Sequence, residues 1–174
     1  MRVLTADPPP PQVEAYLEHR RHTGADRRDE IWDGVLHMAP APQRRHGAML
    51  MRLASVLQPF ADATQLELIA DFNLGEELDY RIPDAGLLRP GANAVFLPSA
   101  AMAVEIVSPG DETSEKLPFY AAHDVDEVLI LDPEARTVHW LALTGDEYQP
   151  VQRSGLIDLG PGQLSQLIAW PADG

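Results

Sequence analysis

Residues 101–108, AMAVEIVS, restrict the fold most, because this run is apolar on both faces of a strand. Side chains alternate along a strand, so Met102, Val104 and Ile106 point to one face and Glu105 to the other. A strand covered on both faces belongs in the middle of a sheet with helices packed against it. A carboxylate in such a strand costs several kcal/mol unless a cation or another polar group pairs with it.

The rest of the chain predicts elements that suit a sheet of this kind. Helical patterns occur at 12–21, 46–61, 112–123 and 162–170. Strand patterns occur at 66–72, 77–88, 101–108, 127–132, 137–143 and 147–151, with a hairpin turn at Asp33-Gly34. The predicted fold class is α/β, a central mixed β-sheet flanked by helices.

Length and composition favour one domain. A chain of 174 residues, 45% of them hydrophobic, suits a single core. Because DPPPP at residues 7–11 indicates stiff extended backbone, we expect an extended proline-rich arm over 1–11 and one domain over 12–174. The chain has no cysteine, which excludes thiolate metal sites, and no apolar run of about 18 residues. A cytoplasmic protein with no membrane partner is expected.

The charge balance limits what the surface can bind. Thirteen basic and 27 acidic residues give a net charge of −14, which disfavours broad affinity for a phosphate backbone. Positive charge is concentrated locally, at Arg20, Arg21, Arg27 and Arg28. These arginines are either solvated surface or a basic strip beside a nucleic-acid cleft, and their position relative to the cleft separates the two interpretations.

Asp84 and Glu105 are candidates for a shared site. Asp84 follows Pro83, and a proline marks a strand start, an edge or a bulge that can re-aim a side chain. If the two strands are neighbours, the carboxylates meet and repel each other unless a cation sits between them. Oxygen ligands with open positions suit Mg²⁺ or Mn²⁺. Alternatively, Asp84 caps a turn and Glu105 pairs with a basic side chain.

Lys116, on the predicted helix 112–123, is the third candidate. An ion pair with Glu112 one turn earlier would contribute only a few tenths of a kcal/mol, so it does not require a lysine. The alternative directs the ammonium at the two carboxylates, where it could orient a water or stabilise developing charge. Tyr120 would share that face. A purely structural alternative is a buried Glu105–Lys116 ion pair that closes the core.

The order of these motifs resembles the Uma-type restriction-endonuclease-like family of the PD-(D/E)XK nuclease superfamily. That family has an acidic segment ending in Asp-Gly, a histidine opening a long helix, a Pro-Asp pair, an E-x-x-S-P strand and K-x-x-x-Y. This chain supplies the matching residues at Glu30, Asp33-Gly34, His46, Pro83-Asp84, 105–109, and Lys116 with Tyr120. The resemblance spans about residues 28–140.

The resemblance implies a metal-dependent nuclease. Asp84 and Glu105 would bind Mg²⁺ or Mn²⁺, the Val107 backbone carbonyl would be a further ligand, and Lys116 would be the catalytic lysine. The superfamily usually places its lysine two residues after the acidic residue, where this chain has Val107. The Uma-type family shares that departure, so its lysine is expected on the helix. The supporting residues would be Glu30, His46 and Tyr120.

The implied partner is nucleic acid, DNA in preference to RNA, and a homodimer is expected. The alternative is a catalytically weak or inactive binding or assembly protein on the same fold, which the acidic surface favours. His46, at the start of a helix, is either a structural residue or one that faces the site. His37 and His139 are expected to be ordinary sheet positions, and no histidine spacing indicates zinc.

Titration calorimetry of Mg²⁺ and Mn²⁺ with the wild type, Asp84→Ala and Glu105→Ala separates the metal site from the structural alternative. For a metal site, both variants lose metal binding and stay folded. Glu105→Ala is then at least as stable as the wild type without metal, because repulsion is relieved. A wild type that binds no metal, with a Glu105→Ala variant that loses about 3–5 kcal/mol in thermal melts, would show a structural carboxylate.

Overall fold

A computed structural model of the chain describes residues 2–3, 9–91, 93–108, 110 and 112–170. The described helices are α1 (Pro11–Thr23), α2 (Arg44–Ala63), α3 (Thr113–Ala122) and α4 (Pro161–Leu167). The described strands are β1 (Arg2–Val3), β2 (Glu30–Trp32), β3 (Val35–His37), β4 (Glu67–Ala70), β5 (Asn73–Glu76), β6 (Asp79–Arg81), β7 (Ala85–Leu88), β8 (Phe96–Leu97), β9 (Met102–Ile106), β10 (Glu127–Asp132), β11 (Thr137–Thr144) and β12 (Glu147–Pro150). Across these ranges, none of the helices combines the length and the apolar character needed to cross a membrane.

The strands form two mixed sheets. The first has the order β1-β3-β2-β6-β5-β8 and the second β12-β11-β10-β9-β7-β4. The predicted α/β class is therefore confirmed, but the expected single central sheet is divided in two. The division falls inside the strand predicted over 77–88, since β6 pairs in the first sheet and β7 in the second. Pro83 lies between them and cannot donate a ladder hydrogen bond.

The alternation of side chains along β9 is confirmed. This strand is buried throughout and lies between β10, which is parallel to it, and β7, which is antiparallel. Met102, Val104 and Ile106 pack into the core formed with α2. Ala103, on the opposite face, packs into a second core with Phe119 of α3. The strand is thus covered on both faces, as its apolar composition predicts.

Local sequence explains the elements around this strand. The turn between β2 and β3 has positive φ at Asp33 (48°) and Gly34 (77°), as two-residue hairpins require. Helix α2 buries Met49, Leu53 and Leu57 at four-residue spacing, the single apolar face expected of an amphipathic helix. Both elements were predicted from the sequence.

The division of the chain into an arm over 1–11 and a domain over 12–174 stays a prediction. Arg2–Val3 pairs with β3, and Pro10 has extended backbone (φ −54°, ψ 143°) immediately before α1. Residues 1, 4–8 and 171–174 lie outside the described part of the chain, as does Pro109 of the E-x-x-S-P motif.

Gly86→Ala should destabilise the fold, because a Cβ at this position in β7 would lie 2.6 Å from Phe72 Cε1 and 2.7 Å from the Met102 carbonyl oxygen. We expect a loss of about 1–3 kcal/mol in urea unfolding. Gly47→Ala is the matched control, since a Cβ there, on α2, meets nothing within 4 Å. It should stabilise the helix by about 0.5–1 kcal/mol. Equal stability of the two variants would contradict this packing.

Candidate active site

Asp84 and Glu105 are brought together by the pairing of β7 with β9. Ala85 lies opposite Val104 in this antiparallel ladder, so Asp84 stands at the end of β7 beside Glu105. The Asp84 carboxylate also accepts a hydrogen bond from the Ile106 backbone amide (2.8 Å). The strand adjacency that a shared site requires is therefore present, and Asp84 lies where the chain passes from the first sheet to the second.

Asp84 is held in its charged form by its neighbours. Its Oδ1 contacts the Arg28 guanidinium and lies 3.0 Å from His46 Nε2. Burial acts to raise the pKa of Asp84, but His46, the Ile106 amide and Arg28 outweigh it and lower the pKa below its usual value. His46 therefore faces the site and does not lie on the outer surface of α2.

Glu105 has the opposite electrostatic character. Its Oε1 accepts hydrogen bonds from Lys116 Nζ (3.0 Å) and from the Tyr120 hydroxyl. Burial raises the pKa of Glu105 to about 7, and the negative charge of Asp84 adds to the rise, while Lys116 and Tyr120 oppose it. Because two carboxylates with pKa values shifted in opposite directions line one cavity, the site has the electrostatic asymmetry common in active sites.

Lys116 bridges carboxylates from two sheets. Its Nζ lies 2.9 Å from Glu30 Oε1 as well as 3.0 Å from Glu105 Oε1. Burial acts to lower the pKa of Lys116, but the charges of Glu105 and Glu30 outweigh it and raise the pKa. The side chain is thus a permanent cation. The ion pair considered for Lys116 with Glu112 is not what the structure shows, since Glu112 Oε2 lies 3.1 Å from His37 Nδ1.

Glu30 is fixed by three donors. Its Oε1 also accepts from the Ile82 amide (2.7 Å), and its Oε2 accepts from Trp32 Nε1 (2.6 Å). The Trp32 ring is stacked on Arg81, whose guanidinium carbon lies 4.4 Å from the ring centroid. The guanidinium carbon of the same Arg81 lies 3.9 Å from the ring centroid of Phe119 in α3. This stack joins the β2–β3 hairpin to the helix that carries Lys116.

The charged groups line one cavity of about 320 Å³. Its polar walls include Arg28, Glu30, His46, Asp84, Glu105 and Lys116, and residues 38–43 form a largely apolar wall. Ile106 and Ser108 also line it, whereas Val107 lines a smaller neighbouring cavity of about 80 Å³. The role expected for the Val107 carbonyl stays a prediction.

The four arginines for which the sequence left solvated surface and a basic strip open do not act as one group. Arg28 borders the cavity, whereas Arg20 forms an ion pair with Asp29 (2.5 Å). Arg21 and Arg27 are exposed and are not among the residues that line the cavity. One arginine of the four is therefore part of the site, and the sequence had no signal that distinguished it.

His37 is more closely involved in the site than its expected ordinary sheet position suggests. The side chain is buried, stacks on Trp32 with ring centroids 3.9 Å apart, and lines the cavity. His139 is exposed, as an ordinary sheet position can be. The alternation with apolar residues is the same around both histidines. It could not predict that His37 is buried and His139 exposed, because it does not reveal which face of the sheet is covered.

The donor set suits a hard divalent cation, although its oxygens are already engaged. Among the residues the structure describes, no group of three or more Asp, Glu or His side chains is arranged to hold a metal ion. Asp84 and Glu105 nevertheless present carboxylate oxygens to the same cavity, and Mg²⁺ commonly uses one or two carboxylates while keeping several waters. The two side chains fit such an ion once Arg28 or Lys116 releases a carboxylate oxygen for the metal.

Comparison with solved structures shows that this α/β fold is similar to a known one. A crystal structure described as "a putative nuclease belonging to DUF820 from Anabaena variabilis ATCC 29413" superimposes with a TM-score of 0.62 and 18% sequence identity. The match covers 80% of this chain and 90% of that one, and at this identity it shows the fold alone.

The chain belongs to the Uma2 family, described as "Putative restriction endonuclease", whose model matches residues 13–167. The family resemblance drawn from the sequence motifs is therefore confirmed, and it covers more of the chain than residues 28–140. A search of curated proteins finds no match.

Glu105 should make the stability depend on pH. Between about pH 4.5 and 7, the folded protein keeps a proton on Glu105 that the unfolded chain has lost, so wild-type stability falls as pH rises through this window. Glu105→Gln removes this titration. Its free energy of unfolding should therefore rise relative to the wild type across the window, by up to about 3 kcal/mol.

Urea unfolding in EDTA at several pH values measures this difference. Glu147→Gln, which removes an exposed carboxyl group on β12, is the control for loss of one surface charge. Parallel pH profiles of the wild type and Glu105→Gln would show that the pKa of Glu105 is not raised.

Proposed function

We propose that the protein is a metal-dependent endonuclease that hydrolyses phosphodiester bonds of nucleic acid, with DNA as the preferred substrate. The observation that carries this proposal is the convergence of Asp84, Glu105 and Lys116 in one cavity, although they come from three separate elements. Membership of a family described as a putative restriction endonuclease supports it.

Asp84 and Glu105 would hold the metal ion, Mg²⁺ or Mn²⁺. Such an ion polarises a phosphoryl oxygen and lowers the pKa of a bound water. The raised pKa of Glu105 supports a cation at this position, because Lys116 and Tyr120 do not compensate the buried charge fully. Asp84, whose pKa is lowered, offers a carboxylate that is ionised throughout the physiological pH range.

Lys116 would act through its positive charge and not as a base, since its pKa is raised. Phosphodiester hydrolysis develops negative charge on the phosphoryl oxygens, and a fixed ammonium stabilises that charge without reorganisation. Glu30 anchors Nζ on one side (2.9 Å), and Glu105 anchors it on the other. Tyr120 donates to the same Glu105 oxygen and so supports the geometry.

His46 would position Asp84. If Nε2 carries the proton, it donates to Asp84 Oδ1 (3.0 Å), and Nδ1 is left to accept from the Ser108 hydroxyl at 3.4 Å. In this arrangement the imidazole of His46, in the first turn of α2, orients one oxygen of Asp84. The homodimer expected from the sequence remains part of the proposal, since two subunits would place two such cavities on one nucleic acid.

The second candidate is a binding or assembly protein with weak or no catalysis. Two observations favour it. The chain carries a net charge of −14, which repels a polyanion outside the cavity. The carboxylates are also paired internally, with Arg28 on Asp84 and Lys116 on Glu105, so each has a counter-charge in the protein itself.

Lys116→Met should lower kcat for cleavage of DNA by about 10²–10³, the cost of removing one charge-stabilising donor. Affinity for Mn²⁺ by calorimetry should be kept or increased, because a competing cation has been removed. Lys116→Arg keeps the charge and tests whether the fold tolerates the change, and Arg21→Met removes one exposed positive charge as a control.

The assay compares plasmid and single-stranded DNA with RNA, in Mg²⁺, Mn²⁺ and EDTA. Asp84→Asn measures the background from contaminating nucleases. A wild type no more active than Asp84→Asn would refute the nuclease proposal, and a folded Lys116→Met variant as active as the wild type would refute the role of Lys116. Binding of the same nucleic acids without cleavage would favour the second candidate.

A further inference from the structure

Arg28 is a cation that the family motifs do not include, and it occupies the candidate metal ligand Asp84. Its Nη2 contacts Asp84 Oδ1 and lies 3.1 Å from Asp71 Oδ1. The Arg28 side chain is 25% exposed, whereas Asp84 is 8% and Asp71 is 51% exposed. The guanidinium therefore lies between an inner and an outer carboxylate, on the wall of the cavity.

Asp71 is well placed to be the outer partner. Its backbone amide donates to the Asp84 carbonyl oxygen (3.4 Å), which keeps the two residues adjacent. Its φ of 46° lies in the left-handed region, where Asp and Asn are the best tolerated residues after glycine. The chain thus presents a second carboxylate to Arg28 at the rim, closer to solvent.

A divalent ion and Arg28 would compete for Asp84. The Oδ1 atom already meets Arg28 and His46, and Oδ2 accepts from the Ile106 amide. Two cations on one carboxylate oxygen repel each other, so a metal bound there would expel the guanidinium. The ammonium of Lys116 is less free to move than Arg28, since it is held by both Glu30 and Glu105.

We propose that Arg28 is the resident counter-cation of Asp84, that a divalent ion displaces it to Asp71 at the rim of the cavity, and that it there binds a phosphate group of the substrate. The inference rests on the proposed function for its metal and substrate. A guanidinium presents a planar fork of donors that matches a phosphate, and a rim position leaves that fork open to the ligand. Metal binding and phosphate binding would then favour each other.

Calorimetric titration of Mn²⁺ in the absence of nucleic acid tests the competition. Arg28→Ala should bind Mn²⁺ about fivefold or more tightly than the wild type. Arg21→Ala, which removes an exposed arginine, measures the effect of net charge alone. Arg28→Lys keeps the positive charge and can replace Arg28→Ala if that variant fails to fold. It should bind Mn²⁺ more tightly than the wild type, because a lysine lacks the planar guanidinium fork that holds Asp84. The inference would be overturned by a folded Arg28→Ala variant whose Mn²⁺ affinity is no higher than that of Arg21→Ala, or by a folded Arg28→Lys variant whose Mn²⁺ affinity is no higher than that of the wild type.

Asp71→Asn tests whether Asp71 is the partner of Arg28 when the metal is bound. Without the rim carboxylate, Arg28 should stay on Asp84, and Mn²⁺ affinity should fall. In the Arg28→Ala background, Asp71→Asn should lower Mn²⁺ affinity clearly less, because the only remaining effect on the metal is the lost charge of Asp71. An equal effect in both backgrounds would overturn the role assigned to Asp71.

Binding of a short fluorescent single-stranded DNA in Ca²⁺, which replaces Mg²⁺ to suppress turnover, tests the phosphate contact. Arg28→Ala should bind it more weakly than Arg21→Ala when Ca²⁺ is present, and equal affinities would overturn the phosphate contact. Tighter Mn²⁺ binding by Arg28→Ala, with no cleavage by any variant, would support the counter-cation and refute the nuclease proposal. Failure of the inference about Arg28 and failure of the nuclease proposal therefore give different results.

Discussion

The ion pairs of Lys116 with Glu30 and Glu105 are the interaction on which the site depends. Glu30 belongs to the first sheet, Glu105 to the second, and Lys116 to α3, so one ammonium joins three elements. Lys116 is also the only lysine in the sequence, and the other 12 of its 13 lysine and arginine residues are arginines. Both carboxylates are buried, and removal of the ammonium would leave them without compensation, which is far costlier than the loss of a surface pair.

The cations of the cavity would reconcile an acidic protein with the phosphate-bearing substrate proposed for it. A net charge of −14 disfavours nucleic acid over the surface as a whole, but the cavity contains the positive charges of Arg28 and Lys116. Buried charges are screened less than exposed ones, so the cations of the cavity act strongly at short range. The acidic exterior would then limit binding to substrates whose phosphates reach the cavity.

Local pattern was a good guide to the elements and a poor guide to how they assemble. The hairpin at Asp33-Gly34, helix α2 and the two faces of β9 follow from spacing that neighbouring residues carry. Strands β5 and β8 were missed, because NLGE is short and largely polar and FL has only two residues, so neither shows a period of two. Pro83, for which the sequence left a strand start, an edge and a bulge open, lies between β6 and β7, which belong to different sheets.

The sequence by itself determined the family, the α/β class, and the candidates Asp84, Glu105 and Lys116, because motif order and apolar alternation are local properties. Only the tertiary structure decided which partners these residues have. Arg28 meets Asp84 across 56 positions of sequence, and Glu30 reaches the Ile82 amide across 52. Such contacts depend on which strands pair, in which register, and on how α3 docks, and the register is selected by burial of apolar faces against elements distant in the sequence.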